Sequence, residues 1–329
     1  MPRPELKNNL VVTCSPHICV DDHIVRRMWV TFFALIPAGL TGIYIFGLKA
    51  FYVTLVSILS ALITEAVLQK LQGKKVTLVD GSAMITGLLL AYNLPPGVPL
   101  WIPAIGSFFA VAIGKQLFGG LGFNIFNPAL AGRAFLMASW PKYMASWSNP
   151  RWQVDAISTA TPLMLLKEKG LHAISEIGFT YKDLFLGNRG GCIGEVCILA
   201  LLLGAAYLLI KQYITWHVPF SYLLTFGILG WIFMGNGMFK GDVLLQLLSG
   251  GIILGAFFMA TDYVTAPITK KGKIVFGMGC GLLNFVIRKW GGYPEGTSYA
   301  ILMMNAATPI IDRFCRPKKF GSKKPGMKK

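Results

Sequence analysis

Asp155, Ser158, Ala160 and Thr161 stand in the order Asp-x-x-Ser-x-Ala-Thr, followed directly by Pro162 and Leu163. This is the pattern on which a flavin transferase builds a phosphoester between FMN and the hydroxyl of the last threonine, here Thr161. Asp155 and Ser158 fit recognition by the transferase and the placing of its metal-bound FAD donor. A flavin tied down in this way stays within electron-transfer reach of its neighbours without a binding equilibrium. The same residues also read as an ordinary helix start, Thr161 capping and Pro162 in the first turn. Location favours the flavin, because the segment occupies the one long polar stretch of an otherwise apolar chain.

The elements that must position this segment are those of a membrane protein. Of 329 residues, 54% are hydrophobic and 14% charged, whereas soluble domains carry about 25% charge. Apolar runs near spanning length recur at Met28–Gly47, Phe51–Leu68, Gly194–Ile210 and Val218–Met234. The fold class expected is an all-α polytopic membrane protein. The net charge of +17 does not indicate nucleic acid. Its lysines and arginines cluster between apolar runs, at Arg26-Arg27, Lys70 with Lys74-Lys75, Lys270-Lys271 with Lys273, and from Arg316 onward. That distribution marks cytoplasmic loops and contact with anionic headgroups of the lipid bilayer. The first twenty residues lack a basic stretch followed by an apolar one, so the first helix is expected to act as its own insertion signal.

The expected helices run over 28–48, 50–69, 82–93, 100–117, 124–140, 193–210, 218–235, 243–261, 274–290 and 298–314. The 82–93 run is too short to span and ends at Asn93-Leu-Pro95-Pro96-Gly97, as broken helices lining a mid-membrane site do. Pro95 precedes Gly119-Gly120 by the same interval that separates Pro267 from Gly291-Gly292. Five helices separate these copies, which predicts about ten transmembrane helices with broken helices in an inverted five-plus-five repeat. The divisions are a cytoplasmic N-terminus (1–27), repeat one (28–140), an extracytoplasmic flavin-bearing loop (141–192), repeat two (193–314) and a basic cytoplasmic tail (315–329). Both termini lie inside by the count of basic loops.

Carboxylates at membrane depth are costly and usually functional. Glu65, inside the second helix, is the first candidate for ion coupling, with Asp80 and Asp262 as further candidates that also read as caps. Glu195 is expected at the start of the sixth helix, and Asp312 beside Arg313 as a solvated neighbour pair. Lys115 and Arg133 lie at the edges of repeat one, where a cation can hold a flavin phosphate or pyrimidine oxygen, though Lys115 can equally snorkel to the headgroups. Trp101, Trp140, Trp147 and Trp152 fit an interfacial belt. Cys14 and Cys19, and Cys192 and Cys197, share one spacing but are expected on opposite faces, so the cysteines make no common metal site. Neither a catalytic side chain nor a metal set is expected.

Beyond these readings, the chain resembles the family that holds RnfD of the Rnf electron-transport complex and NqrB of the sodium-pumping NADH:quinone reductase. The likeness rests on Ser15-Pro-His17-Ile18, the Asp80–Leu90 segment, Asn93-Leu-Pro-Pro96, Gly114-Lys115-Gln116, and Gly119–Arg133 with its Phe-Asn-Ile-Phe-Asn-Pro-Ala-Leu core. Gly190-Gly-Cys-Ile-Gly194-Glu195 matches too, with Cys192 where a serine is usual. The short N-terminus favours the Rnf branch over the quinone-reducing one. The resemblance implies a bacterial or archaeal inner-membrane component of a ferredoxin:NAD+ oxidoreductase that moves Na+ or H+. It implies covalent FMN outside, electron exchange with the flavin on RnfG, partners in RnfA, RnfB, RnfC, RnfE and RnfG, and maturation by a flavin transferase. By analogy with the sister family it also allows a second, non-covalent flavin such as riboflavin. A channel of inverted-repeat type would explain the breaks but leave the flavin pattern a coincidence. A purely structural membrane protein would carry no cofactor.

Overall fold

A computed structural model describes residues 24–148, 150–151, 163–164, 167, 180–235, 237–293 and 295–316. The Asp155–Thr161 pattern, Cys14, Cys19, Trp152 and most of the basic tail lie outside the described residues. Among the described residues all regular structure is helical.

Among the described residues, two helices are long and apolar enough to cross a membrane, α1 (Ile24–Phe46) and α2 (Leu48–Leu71). A single residue separates them. Gly47 takes φ 80° and ψ −159°, a conformation costly for a side chain with a Cβ, so the break falls there and not at Lys49. Broken elements follow: α3 (Ser82–Tyr92), then α4 (Trp101–Val111), which ends in a π-helical turn over Ala112–Gln116. Asn127 caps α5 (Pro128–Ser139), its side chain accepting from the Ala129 and Leu130 amides while Pro128 supplies the first helical residue. The helix expected to begin at 124 therefore begins later.

After the short α6 (Pro141–Met144) and α7 (Tyr181–Leu186) come α8 (Ile198–Ile210) and α9 (His217–Phe233). The helix expected over 243–261 is broken. It consists of α10 (Val243–Leu248), α11 (Ile252–Leu254) and a second π-helical turn, Gly255–Met259. Ser249-Gly250-Gly251 makes the break, Gly250 at φ +76°. Two long helices close the chain, α12 (Lys270–Trp290) and α13 (Thr297–Phe314). Packing follows one order in both halves: α2 lies on α4 and α4 on α5, while α9 lies on α12 and α12 on α13.

Small residues permit these approaches. Where lipid is as apolar as leucine, helices associate through close packing and buried polar contacts. Tyr92, at the end of α3, is fully buried and donates its hydroxyl to the Leu35 carbonyl at 2.8 Å. A Cβ on Gly39 would fall 2.1 Å from the Tyr92 hydroxyl oxygen, and one on Gly194 would fall 2.3 Å from the Tyr92 Cβ. The outer faces expose Phe33, Leu40, Leu59, Ile63, Leu224 and Ile228, as a lipid-facing surface does. Trp101 and Trp140 meet edge to face, but Trp147 is buried and does not belong to an exposed belt.

Candidate functional site

Among the described residues, two charged clusters are buried in this helical frame. The first gathers around Glu65, 1% exposed. The π-helical turn after α4 brings Lys115 and Gln116 inward together. Lys115 Nζ reaches Glu65 Oε1 and Ser82 Oγ, both at 2.6 Å. Gln116 Nε2 donates to the same Glu65 oxygen at 2.8 Å, and Gln69 Nε2 at 3.2 Å. Glu65 Oε2 has no partner among the described residues. Asp80 accepts from the amide and hydroxyl of Ser82, at 2.9 and 2.6 Å, and so caps the start of α3. Glu65 and Asp80, foreseen for ion coupling, and Lys115, foreseen for the flavin, thus form one network through Ser82. Lys115 is 2% exposed and does not snorkel to the surface. Its positive charge is committed to Glu65.

The second cluster lies where the two halves of the chain meet. Arg133, 4% exposed, forms an ion pair with Glu295 and donates to Asn93 Oδ1 at 2.7 Å and Ser298 Oγ at 3.1 Å. It is an interior cross-link and not an edge residue, because Asn127 and Pro128 set α5 so that its second turn faces Asn93 and α13. Asn127 also reaches across, donating to the Met259 carbonyl at 3.3 Å. Glu195 does not begin a helix. It sits in the non-helical segment before α8, 3% exposed, with Oε1 accepting from the Cys192 amide at 3.0 Å. Arg189 donates to the Glu195 carbonyl at 3.2 Å. Arg288 donates to the carbonyls of Gln246 and Ser249 at 2.7 and 2.9 Å. Cys192 Sγ and one carboxylate oxygen each from Glu195 and Glu295 lie within 4.8 Å of one another.

Asp262 is half-buried and accepts from the Thr265 hydroxyl at 3.0 Å, capping its own turn. It also lines, with Ser82, Thr86, Lys115, Asn124 and Asn127, a cavity of about 750 Å³ including its open mouth. Asp312 is half-exposed, accepting from the Ile268 amide at 3.2 Å. Asp155, Ser158, Ala160 and Thr161 lie outside the described residues. Leu163, two residues further on, is buried.

Sequence reasoning missed Glu295, Arg288, Arg189, Ser82 and Gln116. Glu295 offered one signal, an acid in a chain with only 14 Asp and Glu. Its Gly-Tyr-Pro-Glu-Gly setting reads as a solvated connection, and only the fold buries it. Away from the helical frame, Asp183 at the start of α7 is held below the usual carboxylate range by the Thr180 hydroxyl and then by the Thr180 amide.

Residues 11–321 match the family model described as the NQR2, RnfD, RnfE family. The chain is 48% identical over 324 residues to the D subunit of the proton-translocating ferredoxin:NAD(+) oxidoreductase complex of Clostridium ljungdahlii, covering 97% of this chain and 98% of the relative. It is 48% identical over 315 residues to the Na(+)-translocating counterpart of Acetobacterium woodii, covering 95% and 96%. The D subunit of an ion-translocating oxidoreductase complex from Escherichia coli O1:K1 is 36% identical over 351 residues, covering 95% and 99%. Both the extent of the family match and the identities span nearly the whole chain, and the protein belongs to the NQR2, RnfD, RnfE family.

Proposed function

We propose that this chain is the membrane-embedded D subunit of an ion-translocating ferredoxin:NAD+ oxidoreductase, and that it carries FMN in phosphoester linkage to Thr161. The observation that carries the reading is the Asp155–Thr161 pattern standing in a chain of this family. Bound flavin supplies one- and two-electron transfer. Asp155, Ser158 and Ala160 present Thr161 to the transferase. The described residues nearby suit an anionic group. A Cβ on Gly250 would lie 3.1 Å from both Leu163 Cδ2 and Arg288 Nη2, and 3.0 Å from Glu295 Oε1. Leu163, the described residue that follows the pattern, thus packs beside a cluster that holds three arginines and two glutamates.

The remaining parts of the reading follow from it. The chain spans the inner membrane about ten times as an inverted five-plus-five repeat, 28–140 and 193–314. The 141–192 loop lies outside, and 1–27 and 315–329 lie inside. The matching order of helix packing in the two halves supports this arrangement. RnfA, RnfB, RnfC, RnfE and RnfG are its partners, with RnfG exchanging electrons with the flavin. The cavity beside Lys115 and Asp262 is the place for a second, non-covalent flavin such as riboflavin. Glu65, paired with Lys115, and the half-buried Asp80 and Asp262 are the residues for ion coupling. Two relatives of equal identity are named for different ions, one for H+ and one for Na+, so likeness alone does not choose the ion.

The test is in-gel flavin fluorescence of the denatured chain after co-expression with a flavin transferase. Fluorescence in the parent and a dark band for Thr161→Ala is the expected result. A dark parent, folded and exposed to the transferase, would remove the covalent flavin from the reading.

A further inference from the structure

The cluster around Arg133 holds three buried polar atoms without a hydrogen-bond partner among the described residues, Arg189 Nε, Arg288 Nε and Glu195 Oε2, and only the last is an acceptor. Glu195 is buried, its Oε1 is satisfied by the Cys192 amide, and no donor among the described residues reaches Oε2. A Cβ on Gly251 would lie 2.7 Å from that same oxygen, so backbone closes it off on one side. One carboxylate oxygen of Glu195 and one of Glu295 lie within 4.8 Å of each other. An ionised carboxylate oxygen left without a donor in an apolar interior is strongly unfavourable. Two carboxylates side by side raise that cost further.

Three ligands can relieve this. A divalent metal on Cys192, Glu195 and Glu295 is opposed by the guanidiniums of Arg133, Arg189 and Arg288 around it. No arginine of the cluster donates to Oε2, although Arg189 Nε and Arg288 Nε have no partner of their own among the described residues. Arg133 is committed to Glu295, Arg189 donates to the Glu195 main-chain carbonyl, and Arg288 donates to main-chain carbonyls on α10 and beyond. A proton needs no coordination shell. Placed on Glu195 Oε2, it turns the unpartnered acceptor into a donor aimed at Glu295, and the three arginines keep Glu295 an anion able to accept it.

We propose that Glu195 and Glu295 form a proton-binding site, holding one exchangeable proton between them at the junction of the two halves. The groups that face it are Cys192 and Arg189 on its own segment, Arg133 on α5, Arg288 on α12 and Glu295 before α13. The site also borders Gly250, against which Leu163 packs. Its link to redox chemistry rests on the proposed flavin at Thr161, since flavin reduction consumes protons. The proton-binding site itself does not depend on that link.

Infrared spectroscopy of the intact purified complex tests both parts. A protonated side-chain carboxyl has a C=O stretch well separated from carboxylate bands, and it shifts to lower frequency in D2O. The expected result is one such band in the parent, lost in Glu195→Gln and retained but displaced in Glu195→Asp. Should Glu195→Gln fail to assemble, the aspartate variant and the D2O shift decide. A parent with no D2O-sensitive carboxyl band, or a band unmoved by both variants, overturns the site. Chemical reduction of the complex should perturb the band. A fluorescent covalent flavin with a band indifferent to reduction would sever the link to the flavin. A chain dark on the gel would remove the flavin reading while the static spectrum still decided the proton site.

Discussion

The two buried clusters answer one problem, placing charge inside an apolar helical body, in different ways. Around Glu65 the charges come from one half of the chain: the Lys115 ammonium pairs with the Glu65 carboxylate, the Gln116 and Gln69 amides share the same oxygen, and Asp80 joins through Ser82. Around Arg133 the charges come from segments far apart in sequence, with three guanidiniums facing two carboxylates; Arg133 donates to side chains, while Arg189 and Arg288 donate to main-chain carbonyls. The first is a local pair that one helix turn and its neighbour can assemble. The second exists only once the halves have met. A local pair can be replaced as a unit, whereas a distributed network fails wherever it is cut.

The largest effect should follow from cutting the network. Arg133→Ala leaves Glu295 buried without its cation, and Asn93 and Ser298 lose a donor. Removing one partner of a buried pair costs about 3–5 kcal/mol, and the upper end is expected here. Thermal unfolding of the purified complex would register this as a collapsed midpoint or a failure to assemble. An unchanged midpoint would mean that the ion pair does not hold the halves together.

Lys115→Met should cost somewhat less, about 3 kcal/mol, for the same reason. The comparison sharpens with a second substitution. Glu65→Leu combined with Lys115→Met removes both charges, and swaps of that kind are neutral or stabilising by about 1–4 kcal/mol. The double variant should therefore recover most of the loss, short only of what the Gln116 and Gln69 amides lose with their Glu65 acceptor. If it does so yet the complex no longer moves ions, Glu65 and Lys115 are there for transport. The matching double variant, Arg133→Met with Glu295→Leu, should stay destabilised, since Asn93, Ser298 and Glu195 depend on the same groups. Rescue there would erase the distinction between the two clusters.

The smallest effect belongs outside both clusters. Thr180→Ala removes the hydroxyl that caps α7, a loss of about 1 kcal/mol. Thr180 also holds Asp183 below the usual carboxylate range. A depressed carboxylate stabilises the fold above its unfolded value, and that stabilisation disappears as pH falls through the folded one. The parent should thus lose part of its melting temperature on acidification, and Thr180→Ala should lose less over the same interval. Parallel acid profiles would show that Asp183 contributes nothing through this contact.

Some elements announce themselves in the chain. Asn127-Pro128 is a cap followed by a first-turn proline, and α5 begins there. The apolar runs at Ile24–Phe46 and Leu48–Leu71 are helices of the length expected. The break after Tyr92 is where Asn93-Leu-Pro95-Pro96 puts it. Others were not legible. Ser249-Gly250-Gly251 interrupts a run that hydropathy alone carries through, because glycine is tolerated in membrane helices and breaks one only where neighbours offer the freed backbone groups a partner. Here the Ser249 carbonyl has Arg288.

The residues of the candidate site divide along the same line. Composition and order determined a lipid-facing helical protein, the acids that would be costly to bury, and the family to which the chain belongs, since these depend on residue type and local spacing. Which acid meets which base was decided by the fold alone. Lys115 reads as a cation for a flavin or for the headgroups until the π-helical turn after α4 directs it at Glu65. Glu295 reads as a loop acid until α5 and α13 close over it. Pairing between residues 50 or 162 positions apart has no local pattern to carry it, because it is set by helix crossing and closure of the interior. A buried charge finds its partner only when packing has removed the water that would otherwise serve.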